Sequence, residues 1–187
     1  INWAWNGPTS IRNMIANNID RDGNYYETAA SYSLTAQTIY LQFAEILYHL
    51  RSPAYPNGMN LYLDPQFERF YVDYNARNSI SGRLALYGDS LVDVKTDTHT
   101  EFNRLAFSML LKFYARTDDP LKREEYARKL YAMADGDPTL KLDSAWSVMN
   151  ISDIDVPDST GEPARGSEWF GGKGLVFLRT GEGEEQR

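Results

Sequence analysis

Residues 22–33 read DGNYYETAASYS and place Tyr25, Tyr26, Tyr32 and Glu27 within twelve positions. Phenols and carboxylates are proton-transfer groups, and they work best when held at the reacting atom in a fixed geometry. Gly23 permits a tight turn, and the apolar pattern after it begins a helix. The N-terminal end of a helix favours negative charge. Tyr32 in the first turns of that helix, with Arg21 nearby, is therefore placed to act as a base, and Tyr26 and Glu27 sit at the helix mouth beside it. The same residues suit a purely structural role, in which Tyr26 and Tyr32 edge the core and Glu27 is a first-turn carboxylate. Arg77 and Arg83 are further candidates for a cleft, because a guanidinium binds a carboxylate bidentately. Asp89, in YGDS (87–90), either orients a catalytic group or caps the turn that follows. Trp3, Trp5 and Trp169 are candidate platforms for sugar rings; Trp3 and Trp5 equally suit packing against another helix.

These groups need helices to position them. Residues 8–19 fit a helix capped by Thr9 or Ser10, with Ile11, Met14, Ile15 and Ile19 on one stripe, and the DRDG turn stops it. Residues 30–51 fit a long helix whose buried stripe is Ile39, Phe43, Ile46, Leu47 and Leu50, ended by Pro53 and Pro56. Residues 64–86 are expected to be helical in two pieces, with Gly82 the weak point. The clearest helix spans 98–116. Thr98 and Glu101 form a capping box, and Phe102, Leu105, Ala106, Met109, Leu110 and Phe113 are its buried stripe. Asp119-Pro120 opens the next helix at its cap and first turn, closed by Gly136, and Asp137-Pro138 opens another through about Asn150. Residues 151–174 are rich in Pro, Gly, Ser and Asp and read as a linker. LVFLRT (175–180) is a continuous apolar run, as in a strand buried on both faces. The expected fold class is therefore mainly α: antiparallel helical hairpins arranged as a bundle, solenoid or toroid, then a linker and one strand. With 187 residues, the domain reading is a helical domain over 1–150, a linker over 151–174 and the start of a second domain over 175–187. The chain begins on Ile1 and ends soon after a strand that needs partners, so the expectation is a segment of a longer protein.

Composition narrows the function classes. Hydrophobic residues make up 42% of the chain, enough for a sizeable core, and the 13 tyrosines give that core or a cleft many polar tips. The chain has no cysteine, so thiolate chemistry and disulfides are excluded, and this leaves the redox compartment open. A net charge of −7 argues against binding nucleic acid over the whole surface, although a local basic cleft for an acidic ligand is compatible with it. No apolar run approaches the roughly 18 residues that a membrane span requires.

Four patches, taken together, resemble the heparinase II/III-like polysaccharide lyases. DGNYYETAASYS is similar to that family's segment D-G-x-x-x-E-G-S-P-S-Y-H through Asp22, Gly23, Glu27, Ser31 and Tyr32. GPTSIRNMI resembles the helix before that segment. YGDS resembles the family's F-G-D-S loop, and GKGLVFLRTG (172–181) resembles the start of its C-terminal β-sandwich. The resemblance implies the last part of an (α/α) toroid followed by the first strand of a β-sandwich. It implies β-elimination on a uronate-containing polysaccharide, with Tyr32 transferring protons, no cofactor, and action in the periplasm or outside the cell. Tyr26, Glu27, Arg21, Arg77, Arg83 and Asp89 are the residues that would line the substrate, and the remainder of the chain's own longer protein would be its partner. The sequence departs from the family at Thr28-Ala29-Ala30, where the family has G-S-P, and at Ser33, where it has histidine. The family's carboxylate-neutralising Asn or His comes from an earlier helix, and a further histidine comes from the sandwich.

Two other readings stay open: a glycoside hydrolase on a helical toroid using Glu27 and Asp89 as its carboxylate pair, and a non-catalytic carbohydrate-binding helical domain. His49 reads as a helix-end partner, and His99 as an exposed first-turn residue. Asp153, Asp155 and Asp158 lack the glycine and closing glutamate of an EF-hand loop, so no metal is expected. GGKG (171–174) precedes a strand and lacks the phosphate-loop spacing. Arg123, Arg128 and Lys129 read as a solvated helix face.

Overall fold

The computed structural model describes residues 2–27, 29–80, 83–85, 87–90, 98–134 and 166–181. Over these residues the protein is mainly helical, with two small antiparallel pairs of strands. Helix α1 (Asn2–Asn6) leads into α2 (Ile11–Asn18). Of the two candidate caps for α2, Ser10 does the work: its Oγ accepts from the Asn13 N–H at 3.3 Å. The turn that follows is built by Asp20, whose Oδ1 accepts from the N–H groups of Asp22 at 2.8 Å and Asn24 at 2.9 Å. Gly23 turns through φ +83°, where a Cβ would press on the Arg69 carbonyl at 2.6 Å.

Helix α3 (Ala30–His49) is the long helix, and of its expected stripe Leu47 is buried and Phe43 and Leu50 pack against the core, whereas Ile39 and Ile46 do not. Ile39 and Ile46 are 56% and 57% exposed. The inward face carries Ala30, Leu34, Gln37, Tyr40, Leu41, Ala44 and Leu47. Its alanines let neighbouring backbone come close, and Gln37 has a polar task there. The Gln37 amide donates to the Phe70 carbonyl, and the Tyr71 hydroxyl donates to the Gln37 carbonyl at 2.6 Å. Phe70 and Tyr71 lie on a wide, π-type turn, Arg69–Asp73, between α4 (Pro65–Glu68) and α5 (Tyr74–Arg77). A buried carbonyl needs a donor, and Gln37 supplies it.

The sequence pattern carries helix to residue 86, whereas the helix ends at Arg77. Asn78 explains the stop. It leaves the helical conformation after its own N–H has closed the last helical bond to the Tyr74 carbonyl at 2.9 Å, and its side-chain amide adds a second bond to that carbonyl at 2.8 Å. Strands β1 (Ser79–Ile80) and β2 (Arg83–Leu84) follow as an antiparallel pair with Ser79 opposite Leu84. Gly82 lies outside the described residues.

Helix α6 (Thr98–Arg116) packs against α3 and against α7 (Pro120–Met133). The predicted stripe from Ala106 to Phe113 is buried, and so are Phe107, Leu111 and Tyr114 on a second face. The side chains of Thr98, His99, Glu101 and Phe102 lie outside those described. Asp119 caps α7 through its Oδ1, with Pro120 in the first turn, as the sequence indicates. Lys129 corrects the expectation of a solvated face: it is 8% exposed and pairs with Glu125 at 2.8 Å. The core between these helices is aromatic. Phe67, Tyr71, Tyr62 and Phe113 meet with ring centroids 4.7–5.9 Å apart. Each fully buried ring contributes roughly 1.5–3 kcal/mol. Two buried phenols carry their polar tips to carboxylates, Tyr62 to Glu45 and Tyr126 to Glu68.

The linker assignment also changes at its end. Residues 168–170, inside the predicted linker, form β3 (Glu168–Phe170), which pairs antiparallel with β4 (Leu175–Phe177), Trp169 opposite Val176. The hairpin is not buried on both faces. Glu168 and Phe170 turn inward, while Val176 and Leu178 are 59% and 77% exposed. Residues 135–165, with Gly136, the predicted helix from Asp137 and the three aspartates after it, lie outside the described residues.

Candidate functional site at the entrance of the long helix

The three tyrosines of the opening stretch separate cleanly. Tyr25 is core: it stacks on Phe70 with centroids 5.9 Å apart, and burial raises its hydroxyl well above the ordinary tyrosine value. Tyr26 and Tyr32 face solvent, 58% and 46% exposed. The Tyr26 hydroxyl donates to Glu27 Oε1 at 3.1 Å, and that bond to a carboxylate raises its value. Tyr32 is the third residue of α3.

Helix α3 cannot cap itself, because its cap residue is Ala29. Ser90 provides the missing group from the YGDS loop. Its Oγ accepts from the Ala30 N–H at 2.9 Å and the Ser31 N–H at 3.4 Å, while donating to the Tyr87 carbonyl at 2.7 Å. Gly88 turns the loop at φ +65°. Tyr87 packs on Ala30 and Leu34, and its hydroxyl lies 3.0 Å from that of Tyr74. The helix start that carries Ser31 and Tyr32 is thus set by residues 87–90. Asp89, one of the two candidates for a carboxylate pair, is exposed beside this cap, and Glu27 is partly exposed two residues before Ala29.

The β3–β4 hairpin closes the other side. The Gly172 N–H donates to Asp22 Oδ2 at 2.9 Å, and Lys173 Nζ donates to the Glu27 carbonyl at 2.7 Å. Burial lowers the Lys173 ammonium from its ordinary value, while Asp20 and Glu27 pull it back up. A Cβ on Gly172 would overlap the Asp20 carboxylate, so the close approach requires glycine. Behind the turn, Arg77 Nε donates to Glu168 Oε2 at 2.6 Å, its Nη1 lies 3.8 Å from Asp22 Oδ1, and its guanidinium stacks over Phe170 at 4.4 Å. Arg179 joins from β4's far end, 3.6 Å from Glu168 Oε1 and hydrogen-bonded to the Arg77 carbonyl. Phe177 reaches Tyr87 with ring centroids 6.1 Å apart.

Tyr32, Tyr26, Glu27 and Asp89 therefore gather at one helix entrance, with Arg21 on the loop before it. Arg21 is 73% exposed, with its Nε 3.9 Å from Asp22. Arg77 faces the protein's own carboxylates, Glu168 and Asp22, and serves to hold the hairpin. Arg83 is on β2, and its side chain lies outside those described. His49, the last residue of α3, stands apart, 3.4 Å from Arg116 Nη2 and 3.9 Å from Glu45. Among the described residues no group of three His, Asp or Glu side chains is placed to hold a metal ion, and no helix is long and apolar enough to cross a membrane. Sequence reasoning missed Ser90, Lys173, Glu168 and Arg179. The signal for Lys173 lay in GGKG, whose glycines serve close approach of backbone to Asp20 and Arg21. Compared with protein-family models, curated proteins and solved structures, the chain matches none.

Proposed function

We propose that the protein is a polysaccharide lyase that cleaves a uronate-containing polysaccharide by β-elimination, its helices forming part of an (α/α) toroid. The observation that carries this reading is Tyr32 itself: a solvent-facing phenol in the first turn of α3, at the end of the helix that favours negative charge. In the reaction the Tyr32 phenolate takes the proton from C5 of the uronate. The electron pair forms the C4–C5 double bond, the C4–O4 bond breaks, and the leaving oxygen takes up the proton that Tyr32 has removed. Glu27 and Tyr26 share a hydrogen bond next to this position, and Arg21 supplies an exposed cation for the ligand's carboxylate. Action in the periplasm or outside the cell is part of the same proposal. The competing hydrolase reading draws on Glu27 and Asp89 flanking the same helix start.

The test is turnover on a panel of uronate polysaccharides, followed by ultraviolet absorbance of the unsaturated sugar, with wild type and Tyr32→Phe. Absorbance with wild type that collapses in Tyr32→Phe is the expected result. New reducing ends without absorbance would replace the lyase with the hydrolase, and neither signal would leave a binding module.

A further inference from the structure

We propose that Trp169 and Arg21 form a binding subsite for one acidic sugar residue, an inference that rests on the carbohydrate reading above and adds an aromatic platform beside the cation which that reading names. Trp169 is 68% exposed on the outward face of β3, while its neighbours Glu168 and Phe170 turn inward to Arg77 and the core. Its ring has no covering in the described structure, yet its strand is tightly fixed by the contacts of Gly172, Lys173 and Glu168 to the loop and helices. A large amphipathic ring on a rigid base is a binding platform at low entropic cost.

Arg21 completes it. Arg21 Nη2 lies 2.3 Å from the point where a Cβ on Gly171 would stand, and Trp169 Cζ2 lies 3.7 Å from the same point, so the lack of a side chain at Gly171 lets the guanidinium pack against the backbone beside the indole. The cation and the ring are thereby held side by side at the surface. The Arg69 side chain stands on the same loop, its Nη1 donating to the Arg21 carbonyl at 3.3 Å, and adds a second exposed cation. The carboxylates nearby are Asp20 and Asp22. Asp20 accepts from the backbone of its own turn, and Asp22 accepts from the Gly172 N–H and also lies 3.9 Å from Arg21 Nε, a contact that a ligand carboxylate would compete with. An apolar ring face beside a guanidinium fits a pyranose that offers C–H groups on one face and a carboxylate at its edge, which is a uronate residue. Arg21 lies on the loop that leads to Tyr26 and Glu27, so a chain bound over Trp169 and Arg21 extends toward the entrance of α3.

Affinity electrophoresis in native gels containing alginate, hyaluronan, polygalacturonate or neutral dextran tests this. Wild type is expected to be retarded by at least one acidic polysaccharide. Trp169→Ala and Arg21→Gln are each expected to weaken that retardation roughly tenfold, Trp169→Tyr to keep most of it, and Arg21→Gln to leave migration in dextran unchanged. Far-ultraviolet dichroism and melting establish that each variant is folded. Variants that migrate like wild type would overturn the proposal, as would a wild type retarded in none of the acidic gels. Light scattering that shows a dimer dissolved by Trp169→Ala, with retardation unchanged, would also overturn it by giving the indole another occupant. The lyase reading fails separately. Retardation without unsaturated product removes the lyase and keeps the subsite, and product formed equally by wild type and both subsite variants does the reverse. In the expected case Tyr32→Phe loses turnover while its retardation matches wild type.

Discussion

Ser90 caps a helix that begins sixty residues earlier: its hydroxyl oxygen lies 2.9 Å from the Ala30 nitrogen. The first turn of α3 has no side-chain cap of its own, so the loop of residues 87–90 sets where the helix starts and how Tyr32 is presented.

Ser90→Ala should therefore cost about 1 kcal/mol, the usual loss when a helix cap is removed, and lower the melting temperature by roughly 2–4 °C for a chain of this size. Ser90→Asp should retain most of the stability, since a carboxylate also accepts from the first N–H groups and suits the helix dipole. Thermal unfolding of the three proteins checks this. Equal melting of Ser90→Ala and wild type would show that the cap contributes nothing.

The pair Arg77–Glu168 joins the helices to the hairpin, with about a fifth of each side chain exposed. A double-mutant cycle of Arg77→Met and Glu168→Gln should give a coupling of roughly 1–2 kcal/mol in urea unfolding. Each single substitution is cushioned by the partner that remains, Arg179 for Glu168 and Asp22 for Arg77. Additive single effects would mean that the ion pair adds nothing to the contacts of Phe170, Gly172, Lys173 and Arg179 that also hold the hairpin.

Two glycines of the β3–β4 turn should respond differently. Gly172→Ala sets a methyl group against the Asp20 carboxylate and should loosen the hairpin from the loop, speeding hydrogen exchange at Phe170 and Lys173. Gly174 has φ +66° with open space around it, so Gly174→Ala should cost only the backbone strain of about 1 kcal/mol, and Gly174→Asn less. Exchange rates measured by mass spectrometry separate the two. Identical behaviour would contradict the close approach at Gly172.

Glu45 should contribute to stability against acid. Burial pushes its carboxyl up, but hydrogen bonds from Arg116 at 3.0 Å and from Tyr62 outweigh this and hold it below the ordinary glutamate value. Its folded value is depressed, so its contribution is present above the unfolded value near ~4.3 and is lost as pH falls through the lower folded value. Urea unfolding from pH 6 to pH 2.5 should show a steeper fall in wild type than in Glu45→Gln, whose stability is lower at pH 6. Parallel curves would remove Glu45 from the acid response.

What the sequence showed and what it hid divide by distance along the chain. Ser10 and Asp119-Pro120 act on residues within four positions, and their local chemistry, like the turn at Gly23, is legible without a structure. The outward faces of Ile39 and Ile46 were not. Two stripes on α3 both recur at helical spacing, and the choice between them depends on Gln37 meeting the Phe70 carbonyl from another helix. The same holds at the candidate site. Tyr26, Glu27, Tyr32 and Asp89 stand out by type, but Ser90, Lys173 and Glu168 take their roles from partners 60, 146 and 91 positions away. Arg77 was selected as a free cation because the sequence does not show that Glu168 comes to it.

The Asp22–Gly172 hydrogen bond spans 150 residues, which gives the site a place in time as well as in space. During synthesis at roughly 5–20 residues per second, the ribosome needs about 8–30 s between making Asp22 and making Gly172. For that interval α2 and α3 can form and begin to pack, while the loop between them waits for the hairpin. A nascent chain halted before residue 166 would carry the helices that hold Tyr32 without the strand that seats Trp169, so the two sides of this region would meet only after residues 166–181 have been made.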